Sequence, residues 1–143
     1  MTSPKSVAIL VHEGYQDLEF WYPLLRLREE GKPATVIAVE PDKTYFSQLE
    51  YPVIADLGIA QAKGADYAGV FVPGGASAKF IAEEPRMQAF IRDAAAAGAF
   101  LASISEGATA IKAAGAKGAR EISARTTNDL PEFCKALFAA LAR

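Results

Sequence analysis

The chain alternates short apolar runs with longer stretches of mixed character, and each kind predicts its own element. Ser6–Val11 (SVAILV) is a continuous apolar run rich in β-branched residues, the pattern of a strand covered on both faces. Asp17–Glu30 follows with helical spacing: Leu18, Trp21, Leu24, Leu25 and Leu27 share one side, and Arg26, Glu29 and Glu30 take the other. Gly31 stands where a helix C-terminus favours glycine. Ala34–Val39 (ATVIAV) is a second covered strand, which completes a β-α-β unit within about 35 residues.

The rest of the chain continues the alternation. Glu40–Asp56 has no sustained period; Pro41-Asp42 marks a turn, and Tyr51–Ala55, with Pro52 near its start, reads as a short edge strand. Tyr67–Val72 is a strand that stops at Pro73-Gly74-Gly75, and Ala78–Ala82 is a helical turn. Arg86–Ala97 is a helix that buries Met87, Phe90, Ile91 and Ala94 and ends at Gly98. Ala99–Ile104 is a strand, Glu106–Ala114 a helix and Arg120–Arg125 a last strand. Asp129–Leu141 is an amphipathic helix with Leu130, Phe133, Cys134, Leu137, Phe138 and Leu141 on its apolar side. Strands alternating with helices predict an α/β fold, a doubly wound and mostly parallel sheet with helices on both faces, in a single domain over residues 1–143.

Composition narrows the function classes. The 143 residues carry 15 Lys+Arg against 17 Asp+Glu, a net charge of −2, which argues against a basic nucleic-acid platform or a patch for anionic membranes. One cysteine excludes an intrachain disulfide or a multi-cysteine zinc site, and one histidine excludes any site that needs two. Clustered metal ligands are absent, so neither a metal nor another cofactor is expected. Met1-Thr2-Ser3-Pro4-Lys5 leads straight into a strand and lacks the apolar core of a signal peptide, which favours a cytoplasmic protein. Neither a membrane nor a nucleic acid is expected as a partner.

In an open parallel sheet, ligands bind beyond the carboxyl ends of the strands. That rule selects His12–Glu19, Pro73–Ser77 and Ser105–Gly107. The sharpest signal is Ala102-Ser103-Ile104-Ser105-Glu106-Gly107, where a strand runs directly into a helix with small residues on both sides of Ser105. This is the pattern of a nucleophile elbow, which holds its central residue in a strained turn. The backbone N–H of Glu106 would face the same cavity, and Gly74 and Gly75 let a second N–H approach, so an oxyanion or anion site is expected there.

These residues resemble the DJ-1/PfpI (ThiJ/PfpI) superfamily, which shares the class I glutamine amidotransferase-like, flavodoxin-like fold, and its PfpI-like branch is the nearer match. The matching stretches are Tyr15–Pro23 (YQDLEFWYP), Val72-Pro73-Gly74-Gly75, Ala102–Gly107 and Ser123–Pro131 (SARTTNDLP), in family order over nearly the whole chain. The resemblance implies peptidase, glyoxalase, deglycase, isonitrile hydratase or amidotransferase-type chemistry, and self-association into a dimer or larger homo-oligomer. The family elbow usually reads Cys followed by His; here Ser105 and Glu106 stand in those places. The PfpI-type branch often has an acidic residue shortly after the glycine pair, and here Ala76-Ser77-Ala78-Lys79 offers none. The family's acidic residue in the first helix is kept as Glu19. The segment and β-ribbon the family usually inserts before its last strand are missing between Gly118 and Ile122.

Two readings of the site follow. Ser105 is a nucleophile if His12, at the end of the first strand, serves as its base; otherwise it fits the elbow and bonds locally, for instance to Glu19. Glu19 and Glu106 together could leave one carboxyl protonated and poised for hydration or lyase chemistry; otherwise Glu106 complements the dipole of its helix. Pro23 removes the donor for the Glu19 carbonyl and should bend the first helix. Phe20, Trp21 and Tyr22 are expected in the core or in a subunit contact, and Cys134 as a small buried hydrophobe. The favoured expectation is a diverged, cysteine-independent protein that binds a small anionic or carbonyl ligand or assembles, an enzyme fold without its reactive group. The alternative is a small-molecule hydrolase or hydratase/lyase using Ser105, Glu106 and Glu19, with His12, beside an oxyanion hole at Gly74 and Gly75.

Overall fold

A computed structural model describes residues 4–142, so Met1-Thr2-Ser3, read above against a signal peptide, lies outside the described residues. Six strands form one sheet: β1 (Ser6–Leu10), β2 (Ala34–Ala38), β5 (Leu57–Gly58), β6 (Tyr67–Val72), β7 (Phe100–Ile104) and β8 (Glu121–Ala124). Their order is β5-β2-β1-β6-β7-β8, and every pairing is parallel. The central strands are apolar at their covered positions, apart from Ser103 of β7, because helices lie on both faces.

Helices α1 (Asp17–Glu29) and α5 (Leu130–Leu141) cover one face. Their Phe20, Leu24, Phe133 and Leu137 pack on Val7, Ile9 and Phe71 of the sheet. Helices α2 (Ser77–Glu83), α3 (Pro85–Ala96) and α4 (Gly107–Ala114) cover the other, with Ile81, Met87, Ile91 and Ile111 against Ala8, Leu10 and Val70. Cys134 is buried on α5, where burial pushes its thiol pKa up to about 11. Among the described residues no helix is long and apolar enough to cross a membrane.

Two expectations change. The segment expected as an edge strand is β4 (Pro52–Ile54), and it pairs antiparallel with β3 (Thr44–Phe46) in a separate hairpin instead of extending the sheet. The apolar side of α1 is also rotated from the expected one. The core takes Phe20, Pro23, Leu24 and Leu27, while Leu18 and Leu25 face outward and Trp21 is half-buried. The helix continues through Pro23 without a break.

The chain leaves β1 to one side for β2 and returns on its other side at β6. The chain leaves the carboxyl ends of β1 and β6 toward opposite faces, to α1 and to α2, and this switch point is the place where such sheets hold their functional residues.

Candidate functional site

Ser105 sits at the bend between β7 and α4 with φ of 51°, one of two non-glycine residues with positive φ among those described. A left-handed backbone at a serine costs about 1–3 kcal/mol and persists only where neighbours hold it. They do: the Ser105 N–H continues the sheet ladder to the Ala124 carbonyl (3.0 Å), and the Ser105 carbonyl accepts from Ala108 N–H (3.2 Å). Gly107 permits the turn, because a Cβ there would stand 2.0 Å from the Val72 carbonyl oxygen.

The single Ser105 hydroxyl proton is shared between two acceptors, Glu19 Oε2 (3.0 Å) and the Arg125 carbonyl (3.2 Å). Glu19 reaches it from the first turn of α1 and is only 3% exposed. The same Oε2 accepts from the Thr127 hydroxyl (2.8 Å), and Oε1 accepts from Gly74 N–H (3.1 Å). One carboxyl group thus ties together three loops, those after β6, β7 and β8. Its own position is fixed by Gln16, whose side-chain oxygen caps α1 by accepting from Glu19 N–H (2.9 Å).

Glu106, at the start of α4, turns its carboxylate back toward the glycine pair and accepts from Gly75 N–H (3.0 Å). Both glycine amides, from which the second donor of an open oxyanion hole was expected beside the Glu106 N–H, are therefore occupied by the protein's own carboxyl groups. The packing is close: a Cβ on Gly74 would lie 2.2 Å from Glu19 Oε1 and 2.7 Å from Glu106 Oε1. Gly75, with φ of 90°, is pinned from the other side, where Tyr15 bridges it and Gln16 N–H donates to the Gly74 carbonyl (3.0 Å).

His12 does not complete the site. Its ring stacks on Phe80 with centroids 4.5 Å apart and meets Tyr45 edge-on at 5.1 Å. Its Nδ1 accepts from Glu13 N–H (2.7 Å), and its backbone N–H donates to Ser77 Oγ (2.8 Å). No hydrogen bond joins it to Ser105 among the described residues, so the expected Ser105–His12 pair is not formed. Burial, and then the charge of Lys43, lower its pKa below the ordinary histidine value.

Thr127 is the member of the site that the sequence reading passed over. It begins a helical turn directly after β8, at the carboxyl end of a sheet strand, so the rule that selected the other three loops would have selected this one too. Chemically, the arrangement sets a hydroxyl against a buried carboxyl group. It has no thiol, and its glycine amides are filled.

Similar proteins bear on the family and the fold. An uncharacterised protein of Archaeoglobus fulgidus is 31% identical over 166 aligned positions, covering 96% of this chain and 98% of its own. That alignment is longer than the chain, so the relative carries residues this one lacks. A protein of Thermococcus kodakarensis named as a deglycase is 29% identical over 86% of this chain and 74% of its own. The crystal structure of Drosophila melanogaster DJ-1beta superposes with a TM-score of 0.89 at 18% identity, covering 98% of this chain and 91% of that one, which speaks for the fold alone. The DJ-1/PfpI family model matches residues 5–129, and with that match and the Archaeoglobus relative over the full fold, this chain belongs to the DJ-1/PfpI family.

Proposed function

We propose that this chain is a diverged, non-thiol member of its family that does not turn over substrate and works in the cytoplasm by binding or assembling. The observation that carries the reading is the occupancy of the glycine amides, with Gly74 N–H on Glu19 and Gly75 N–H on Glu106. An acyl-transfer site needs such donors aimed at the place where negative charge develops. Here two carboxyl groups stand in that place, and they also repel an incoming anion, which counts against the small anionic ligand expected from the sequence. Ser105 offers a hydroxyl where the family elbow usually has a thiol, and a hydroxyl needs a base to become a nucleophile.

One observation favours the alternative, a small-molecule hydrolase or hydratase/lyase: the Ser105 hydroxyl already donates to a carboxyl group at 3.0 Å. In that reading Glu19 takes the hydroxyl proton as Ser105 adds to a carbonyl carbon, the C=O π pair moves onto oxygen at the Gly75 amide that Glu106 vacates, and the proton returns from Glu19 to the leaving group as the pair comes back, water then releasing the acyl group. His12 has no part in it.

An activity panel separates the two. The purified chain is offered p-nitrophenyl acetate, methylglyoxal, a methylglyoxal-modified cysteine peptide and a casein-derived peptide, beside Ser105→Ala and Glu19→Gln. The expected result is no turnover above the Ser105→Ala background on any of them. Turnover that either substitution abolishes, with the circular dichroism spectrum unchanged, would establish the enzyme instead. The double change Ser105→Cys, Glu106→His is a further arm: family-type activity in it, absent from the parent chain, fits a framework that has lost only its reactive groups.

A further inference from the structure

Strand β8 is an outer strand of the sheet, and its bonds to β7 show what its second edge offers. Leu101 N–H donates to the Arg120 carbonyl (2.8 Å) and Ser105 N–H to the Ala124 carbonyl (3.0 Å). Even-numbered residues therefore face β7, and Glu121 and Ser123 turn their N–H and C=O groups outward. Among the described residues none of these four groups has a partner. An edge of this kind is a template for another strand unless a proline or a bulge spoils it. Glu121–Ala124 contains no proline and pairs with β7 without a shift of register.

A cleft lies on each side of the edge. Toward α4, one of about 400 Å³ is lined by Ser103, Lys112, Glu121 and Ser123. Toward α5, one of about 390 Å³ is lined by Ile122, Ala136, Ala139 and Ala140, whose short side chains leave the space. Successive residues of an extended chain point to opposite faces, so a strand laid along β8 places its side chains alternately in the two clefts. Charge chooses the occupant. From residue 112 to 125 stand Lys112, Lys117, Arg120 and Arg125 against one acid, Glu121, a positive surplus in a chain of net charge −2. A second copy of the same edge would bring the same surplus against it.

We infer that the β8 edge takes an extended acidic peptide segment of a partner protein as an added strand. Antiparallel pairing is the stronger per residue. In it, the peptide residue opposite Ser123 exchanges both main-chain bonds with Ser123 and carries an acidic side chain into the cleft of Lys112. The residues opposite Ile122 and Ala124 are small and apolar, because those two positions face the α5 side. This inference goes beyond the proposed function, since none of the four main-chain groups belongs to the elbow.

Fluorescence anisotropy with the intact chain and a labelled peptide, Gly-Glu-Val-Glu-Val-Thr-Gly, tests it. Saturable binding with a Kd below about 1 mM is expected. A methyl on the amide nitrogen of the second Glu, which faces β8, should weaken binding at least about tenfold, and one on the first Val, which faces away, should cost less than that. Lys in place of both Glu residues should also weaken it at least about tenfold. Ser123→Pro removes an outward N–H while the bonds to β7 stay in place, and it should abolish the signal. If that variant fails to fold, the two methylated peptides decide with the chain unchanged. Equal binding of the methylated peptides, equal binding of the lysine peptide, or no saturation by about 1 mM overturns the assignment. Light scattering in which Ser123→Pro splits a dimer into single copies gives the edge to a second copy and overturns it too. Turnover in the activity panel would remove the non-catalytic reading and leave this edge standing, whereas failure of the peptide to bind would leave the closed elbow untouched.

Discussion

Glu19 accepts from a backbone N–H that cannot turn and from two hydroxyls that can, and this difference predicts how the site responds to substitution. In Glu19→Gln the amide oxygen can keep the bond from Gly74 N–H. The Ser105 hydroxyl can then accept from the new NH2 while still donating to the Arg125 carbonyl, so the cost should stay within about 1 kcal/mol. In Glu19→Ala the Gly74 N–H is left buried without an acceptor, Thr127 loses its acceptor, Ser105 keeps only the Arg125 carbonyl, and a void opens. That should cost about 3 kcal/mol or more. Urea unfolding of the two variants checks the order; equal losses would mean that Glu19 does not hold the loops together. The sequence made Ser105, Glu19 and the glycine pair legible because each stands at a strand end or in the turn that follows. It could not show that the glycine amides are filled. That depends on which way the Glu106 side chain turns, and residue spacing carries no such information.

At the scale of elements, the hairpin is the part least visible in the sequence. Its strands have three residues each, its turn lacks an Asn-Gly or Asp-Gly signal, and Glu50 takes a φ of 63° where glycine would have announced the turn. A two-stranded hairpin is marginal alone, and this one is clamped to α1. Asp17 accepts from Ser47 Oγ and, through Oδ1, from Leu49 N–H (3.2 Å), while Ser47 Oγ accepts from Tyr51 N–H (2.8 Å) and Glu13 Oε1 from Phe46 N–H (3.1 Å). Asp17→Ala should therefore loosen the hairpin without unfolding the sheet. Hydrogen exchange at Leu49 and Tyr51 should speed up at least about tenfold, the equivalent of roughly 1.4 kcal/mol, while β6 amides keep their protection. Uniform acceleration across the sheet would contradict the clamp. The rotated face of α1 belongs to this scale too: with apolar residues at 18, 20, 21, 22, 24, 25 and 27, periodicity alone could not decide which of them the sheet would take.

For the molecule as a whole, the sheet was legible because strands covered on both faces read as unbroken apolar runs. β5 was not, since two residues make no pattern. His12 lies two residues beyond β1, one of the sheet's two central strands, and ties it to the hairpin through Tyr45 and to α2 through Phe80 and Ser77, so its protonation bears on global stability. Burial and Lys43 lower its folded pKa, against the opposing pull of Glu13, Glu40 and Glu84. The unfolded chain, with a histidine pKa near 6.5, then binds the proton more readily than the folded one. Stability from this group is complete above about pH 6.5 and is lost as pH falls from there to the lower folded value. The geometry gives the same sign, because a protonated Nδ1 cannot accept from Glu13 N–H. His12→Asn keeps an acceptor for that N–H and removes the titration. Urea midpoints measured from pH 8 to pH 5 should fall in the parent chain and fall less in His12→Asn, with the gap opening below about pH 6.5. Parallel curves would show that the histidine is equally easy to protonate in the folded and unfolded chain.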